Sequence, residues 1–407
     1  MNCRHCAAPL TLQLVDLGSA PPSNSYLTAD SLNAPEKCFP LRVLVCENCW
    51  LAQTEDYAHE PFGAEYAYFS AFSSSWLAHA KAYVDTMVQR FGLNAGSHVV
   101  EVAANDGYLL QFVKERGIPC TGIEPTASTA AAARARGIPM VEDFFGKRLA
   151  NEMRARGTTA DLMVANNVLA HVPDINGFVA GFAALLAPGG VATFEFPHLV
   201  RLIEENQFDT IYLEHYSYLT LTVVRRILSA GGLSVFDVEE LPTHGGSLRV
   251  FAQRGDTGKH AASPRVDEML RHEAKLGVAS AEYYSGFQTK AEKVRDDFAA
   301  FLLQAKDEGA TVAAYGAAAK GNTLMNYAGV RADRIAFVAD RNPAKQGKFM
   351  PGSRVPIVSE EHIRQEQPKY VVLFPWNIRN ELTKQLEYVR SWGGQLVVAV
   401  PRLEILS

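Results

Sequence analysis

Apolar positions along this chain switch between two periods, and the switches mark out its elements. Around residue 100 the run SHVVEVAANDGY places Val99, Val100 and Val102 about one acid, Glu101, and reaches Gly107 before the amphipathic stretch YLLQFVKER. A short apolar run, a turn and then a 3.6-residue pattern predict a buried strand, a tight turn and a helix. The same succession repeats downstream. CTGIEP precedes an alanine-rich helix over 126–136, VEDFFG precedes a helix closing near Gly157, and LMVANNVL and GVATFEFPH read as further strands, the second after the turn APGG. Strands alternating with helices predict a doubly wound α/β sheet. After the polar patch QRGDTGKHAASPRVDEM, helical spacing returns over 266–308. A second α/β unit follows, in which TVAAYG, IAFVAD and YVVLF meet the turns AAAKGN, RNPAKQG and PWN, and QLVVAV closes the sheet. The expected organisation is a small module over 1–60, one α/β domain over 61–255 and another over 256–407.

Composition narrows the function classes. With 407 residues, 48% apolar and 20% charged, the chain is that of a globular protein with two or three cores. A net charge of −5 gives no basic footprint, which argues against nucleic acid as a partner. No apolar run approaches the roughly twenty residues of a membrane span, and no charged-then-apolar leader opens the sequence. A cytoplasmic protein with no membrane partner is expected. Four of the six cysteines stand in two pairs, CRHC (Cys3, Cys6) and CENC (Cys46, Cys49). Together they offer four thiolates to one tetrahedral zinc ion and leave no position for water, the mark of a structural site. The knuckles lie further apart than in compact zinc ribbons, so His5, Cys38 and His59 stand as substitutes for one ligand.

The first strand and turn have the form of a nucleotide pocket, yet a diphosphate asks for several glycines where this turn offers AAND. A phosphate-free ligand fits better. Glu124, ending the second strand just before Pro125, is placed to accept ribose hydroxyls. Asp143, beside Phe144 and Phe145, suits an adenine, and Asn166 and Asn167 end the fourth strand. These features answer the needs of S-adenosylmethionine: an acid for its ammonium, an acid for its diol and a slot for its adenine. The order of segments resembles class I methyltransferases, with Ala103 and Asn105 standing where that family's first motif carries glycines. Ordinary strand-end carboxylates of a nicotinamide or purely structural domain are the other reading. Upstream, EYAYFSAFSSSW either lines the pocket mouth, Tyr68 included, or packs on the sheet.

The densest chemistry lies in FDTIYLEHYSYLT, which crowds Tyr212, Glu214, His215, Tyr216 and Tyr218 together. An imidazole there can take a proton from a carbon acid if the resulting carbanion is stabilised. Tyr212 can position the oxygen that gains charge, Glu214 can orient an imidazole or a substrate hydroxyl, and His171 leaves the fourth strand nearby. An aromatic loop folded over a sheet edge would read the same way. Across nearly its whole length the chain resembles the sugar-nucleotide C-methyltransferases, in particular those acting at C-3 of TDP-4-keto-deoxysugars in antibiotic sugar pathways. The resemblance rests on the paired CxxC opening, EYAYFSAFSSSW, VEVAANDGYLL, GIEP, ANNVLAHV, YLEHYSYL, HGGSLRVF, YGAAAKGN and ADRNPAKQG.

That resemblance implies an α/β fold, in which a class I methyltransferase domain is flanked by the zinc module and by a C-terminal Rossmann-like domain holding a nucleotide sugar. It implies His215 as general base, with Tyr212, Glu214 and His171 beside it. Cofactor contacts are expected from Tyr68, Glu101, Ala103, Asn105, Gly107, Tyr108, Glu124, Pro125, Asp143, Phe144 and Asn166. Substrate contacts are expected from Asn167, His244, Lys320, Asn322 and Arg341, the last three at the diphosphate, and the chain is expected to act as a monomer. GAAAKGNT departs from a P-loop because Lys320 precedes the second glycine, and from a nicotinamide turn because Ala318 replaces the middle one. An NAD-dependent oxidoreductase using that turn, and a nucleic-acid methyltransferase, are the competing classes.

Overall fold

The computed structural model describes residues 1–56, 69–72 and 74–406. Its strands form three sheets. The N-terminal sheet takes β1 (Leu12–Ala20), β2 (Phe39–Val45) and β3 (Ala52–Thr54), all antiparallel. The central sheet contains β4 (Val99–Val102), β5 (Cys120–Ile123), β6 (Met140–Val141), β7 (Ala160–Asn166) and β8 (Leu186–Pro197). A fourth member of the N-terminal sheet, β9 (Ser217–Tyr218), comes from the middle of the chain and pairs with β3. The hairpin β10 (Leu233–Leu241) and β11 (Ser247–Arg254) completes the central sheet.

The central order is β10-β11-β8-β7-β4-β5-β6, parallel except where β11 runs against β8 and β10. This is the class I methyltransferase arrangement expected from the sequence. The order reverses between β4 and β7, and such a switch point leaves a crevice at the carboxyl ends of the strands. Both faces of the sheet are covered, so the parallel strands are apolar throughout, with Val99, Val100, Met163, Val164 and Ala165 fully buried. Gly122 allows β5 to lie close to its neighbours. A Cβ there would stand 2.4 Å from Met140 Sδ and 2.8 Å from Ala104 Cβ.

The third sheet is built from β12 (Val312–Tyr315), β13 (Val338–Ala339), β14 (Ile357–Val358), β15 (Tyr370–Leu373), β16 (Gln395–Val398) and β17 (Glu404–Leu406), in the order β14-β13-β12-β15-β16-β17. Only β17 is antiparallel, and a second switch point falls between β12 and β15. The helix Pro264–Leu276 packs on the central core through Val266 and Met269. Its Glu273 accepts from the backbone N–H groups of Leu221 and Thr222 at the start of the helix Leu221–Ala230, capping that positive end. The helix Phe287–Asp307 turns the other way and joins one core with the N-terminal and third sheets. Among the described residues no helix is long and apolar enough to cross a membrane.

Candidate active site

The turn after β4 builds the first half of the site. Ala103 and Asn105 lie at φ 54° and 50°, and Gly107 at φ 78°. The left-handed backbone that favours glycine therefore survives at the two positions where glycine has been replaced. Glu101 is buried, receives a hydrogen bond from the Tyr108 side chain, and leaves Oε2 without a partner. Burial pushes its carboxyl well above the ordinary range, and the nearby charges of Asp106 and Glu124 push the same way. Glu124 accepts from the N–H groups of Asn105 at 3.0 Å and Thr126 at 2.9 Å, spanning the half-buried Pro125. The Oδ1 of Asn166 is also buried and unpartnered. Open acceptors among three acids suit a ligand bearing positive charge and oppose a diphosphate. The ammonium and sulfonium of S-adenosylmethionine meet that description, and the residues fit it.

Other expected cofactor contacts are placed differently. Asp143 pairs with Arg148 at 2.7 Å and accepts from the N–H of Phe144, whose side chain is 62% exposed. It is Phe145 that turns inward, packing on Phe178 and Phe182. Tyr68 lies outside the described residues, as does His59. Trp76, on the helix Ser74–Phe91, stacks on Tyr108 at 5.9 Å and meets His244 edge-on at 5.2 Å, joining the cofactor turn to the residues below.

His215 stands at the centre of the second half. Its ring lies 3.9 Å from that of Tyr212 and 4.5 Å from that of His171. The Nδ1–H donates to the Thr210 carbonyl at 2.9 Å, which fixes the tautomer and leaves Nε2 as the proton-accepting atom. Burial, with His171, His244 and Lys320 nearby, lowers its pKa well below the usual imidazole value, so the ring is neutral at pH 7. Burial also lowers His171 and His244 to about 4. Glu214 does not orient the imidazole. Its carboxylate instead accepts from Asn24 Nδ2 at 3.2 Å and from the backbone of Ser23 and Asn24, and Oε2 is left open. Asn24 belongs to a loop of the N-terminal module, and no local pattern in its sequence signals the contact.

The N-terminal module also holds the backbone of this loop. Thr54 donates from Oγ1 to the His215 carbonyl and from its N–H to the Tyr216 carbonyl, each at 3.1 Å, next to the β3–β9 pairing. Behind it the sulfurs of Cys3, Cys6, Cys46 and Cys49 all lie within 4.8 Å of one another, with Cys3–Cys49 and Cys6–Cys46 at 3.5 Å. A tetrahedron of Zn–S bonds near 2.3 Å has edges of about 3.8 Å, so the four thiols form a zinc-binding site. His5 is not a ligand in this arrangement; it bonds Asn176 at 2.8 Å and ties the module to the central domain. Cys38 is exposed and apart from the four.

The third sheet supplies the far wall. Lys320, in the first turn of the helix Ala319–Tyr327, donates to Asn377 Oδ1 at 2.9 Å and sits 4.2 Å over the Trp376 ring, whose Nε1 donates to Asp209 at 2.7 Å. Asn322 is buried with Nδ2 unpartnered, whereas Arg341 is exposed and donates to Gln385 at 3.5 Å. Asn167, at φ 56°, leaves Nδ2 unpartnered beside the first crevice. Sequence reasoning misses Asp209, Trp376 and Asn377; PWN at a strand end is the signal that could have found the last two. A cleft of about 600 Å³ runs outward between the domains, lined by Arg201, Gly245, Gly246, Trp376, Asn377 and Arg379 among others.

Three family profiles match the chain in succession: a zinc binding domain over residues 3–60, a methyltransferase domain over 76–238 and a C-methyltransferase C-terminal domain over 242–401. The C-methyltransferase NovU of Streptomyces niveus is 35% identical over 409 aligned positions, covering 100% of this chain and 97% of its own. Among solved structures, the magnesium protoporphyrin IX methyltransferase ChlM of Synechocystis PCC 6803 is 15% identical over 44% of this chain and 83% of its own, with a TM-score of 0.35. The PH0226 protein of Pyrococcus horikoshii OT3 is 12% identical over 46% and 95%, with a TM-score of 0.37.

Proposed function

Because the chain belongs to the S-adenosylmethionine-dependent C-methyltransferases, we propose that it methylates a nucleotide-linked 4-keto-6-deoxy sugar at C-3, the ring carbon beside the ketone. The observation that carries this reading is His215: a neutral imidazole, its Nδ1–H occupied by Thr210, which leaves Nε2 to accept a proton beside the rings of Tyr212 and His171. A base of this strength removes a proton from carbon only when a neighbouring carbonyl can take up the charge, which selects a ketone over an ordinary sugar hydroxyl-bearing carbon. Nε2 accepts the C-3 proton, and the electron pair of that bond delocalises onto the C-4 oxygen. Tyr212 and His171 orient the reacting ring, and the open oxygen of Glu214 accepts a sugar hydroxyl. S-adenosylmethionine, when bound, supplies an electrophilic methyl group whose sulfur leaves as a neutral thioether. Glu101, Glu124 and Asn166 hold it. The nucleotide fits the outward cleft, where its diphosphate would take Arg201 and Arg379 from their partners Glu204, Glu240 and Glu404.

Incubation with methyl-labelled S-adenosylmethionine and a panel of TDP- and GDP-linked 4-keto sugars, followed by NMR location of the new methyl, tests this directly. A methyl on oxygen, or no transfer to any member, defeats it. For the cofactor half, Glu101→Gln should weaken S-adenosylmethionine binding about 10–100-fold in calorimetry, the range for losing a hydrogen bond to a charged group. Wild-type affinity should also rise with pH as the elevated Glu101 carboxyl ionises, because only the ionised form pairs with a cation. An unchanged dissociation constant in the variant would remove Glu101 from the site.

A further inference from the structure

Lys320 stands in a turn whose glycines make no room for phosphate. A Cβ on Gly316 would lie 2.5 Å from Pro375 Cγ, and one on Gly321 2.3 Å from Phe374 Cδ2. Both close approaches are thus made to the protein's own segment after β15, not to a ligand. Asp340, the strand-end acid that a nicotinamide ribose would need, is occupied by the N–H groups of Ala317 and Asn342, each at 2.8 Å. The lysine side chain instead enters the crevice at the second switch point, where turns leaving β12 and β15 diverge. There it meets Asn377 and the face of Trp376, and it is near enough to His215 and His244 to depress both imidazoles.

Three features give this ammonium a task. Asn377 accepts from one of its three N–H groups, and no described carboxylate forms an ion pair with it; Asp209 acts on it from a distance, across the Trp376 indole. The surrounding imidazoles of His171, His215 and His244 are neutral, so among the described residues around His215 it is the group that carries positive charge at pH 7. Arg201 and Arg379 line the cleft outside, where Arg201 pairs with Glu204 and Glu240 and Arg379 with Glu404 in partly exposed contacts that a diphosphate can displace, which leaves the inner position to the sugar.

We propose that Lys320 is a catalytic residue whose ammonium binds the ketone oxygen of the acceptor and holds the negative charge that develops there when His215 takes the neighbouring proton. This inference rests on the keto-sugar reading. The step is a proton transfer: the C–H bond breaks, its pair forms the enolate, the proton resides on Nε2 of His215, and an N–H of Lys320 keeps its hydrogen while donating to the oxyanion. A charged donor in a pocket sheltered from water stabilises such an anion far more than a neutral one does.

The test uses the full chain with a TDP-4-keto-6-deoxyhexose, read in two ways: methyl transfer at saturating S-adenosylmethionine, and loss of the acceptor hydrogen to D₂O with the cofactor omitted. Lys320→Met is expected to lower kcat about 10²–10³-fold, as removal of an oxyanion donor does, with hydrogen exchange slowed in parallel and KM changed little. Lys320→Gln, which keeps a donor without the charge, should behave alike and decides the matter should the methionine variant fold poorly. Lys320→Arg should recover part of the exchange rate. A raised KM with kcat and exchange preserved would make Lys320 a diphosphate contact and overturn the proposal alone. A wild-type chain inactive on every 4-keto sugar would overturn the substrate reading, and the proposal with it.

Discussion

Replacing His215 with alanine is expected to lower methyl transfer by about 10²–10⁴-fold, the contribution of a positioned general base, while S-adenosylmethionine binds as in the wild type. The two effects separate because Glu101, Glu124 and Asn166, the residues proposed to hold the cofactor, sit toward the carboxyl edge of β4, β5 and β7, whereas His215 hangs from the loop between Thr210 and β9. Deuterium exchange at the acceptor carbon should disappear with turnover. The pH profile carries the same signature. A group whose folded pKa lies below its free value stays unprotonated as the pH falls past about 6.5, the free imidazole value. The acid limb of kcat should therefore lie below 6.5, because His215 is held well under that value by burial. Near-normal turnover in the alanine variant, or an acid limb at or above that value in the wild type, would end the assignment.

Removing the metal should be at least as damaging, although the four sulfurs touch no part of the reaction. Structural zinc sites contribute about 10–16 kcal/mol in small domains, and while β1 and β2 pack into the core shared with the third sheet, the two cysteine turns depend on the metal to stay together. Its third strand carries Thr54, which bonds the carbonyls of His215 and Tyr216, and the loop between its first two strands carries Asn24, which bonds Glu214. Chelation, or Cys46→Ser, is expected to release stoichiometric zinc and to lower the melting temperature. Methyl transfer should fall by at least the loss seen for His215→Ala, because the base and the carboxylate are set free together. The measurement is metal content by mass spectrometry alongside thermal unfolding and turnover. A fully active chain stripped of zinc would show that the β3–β9 contact does not position the catalytic loop.

Local patterns revealed much of this protein. Val99 to Gly107 encode a buried strand and a strained turn in consecutive residues, and the turn keeps its left-handed backbone even with alanine and asparagine in place. Four cysteines in two close pairs define a metal site because each pair is local and only one long loop must close. Crowding of Tyr212, Glu214 and His215 marked the chemistry for the same reason. Glu214 shows the limit: adjacency to His215 suggested that it orients the ring, yet it stands inside a turn closed by the His215 N–H on the Tyr212 carbonyl, and its partner is Asn24.

Lys320 shows it more sharply. The family resemblance implied a diphosphate contact there, but what fills the space beside Gly316 and Gly321 is set by Pro375 and Phe374, more than fifty residues away. By itself the sequence marked the alternation of strands and helices that builds two α/β sheets and the paired cysteines of a zinc site, with one ligand left open among substitutes. Tertiary structure alone decided that the zinc module's third strand grips that loop, that a lysine from the last sheet enters beside its histidine, and that the expected adenine acid Asp143 turns to Arg148. Those outcomes depend on side chains brought together across domains, where burial and competing partners, not chain neighbours, set which group each side chain meets.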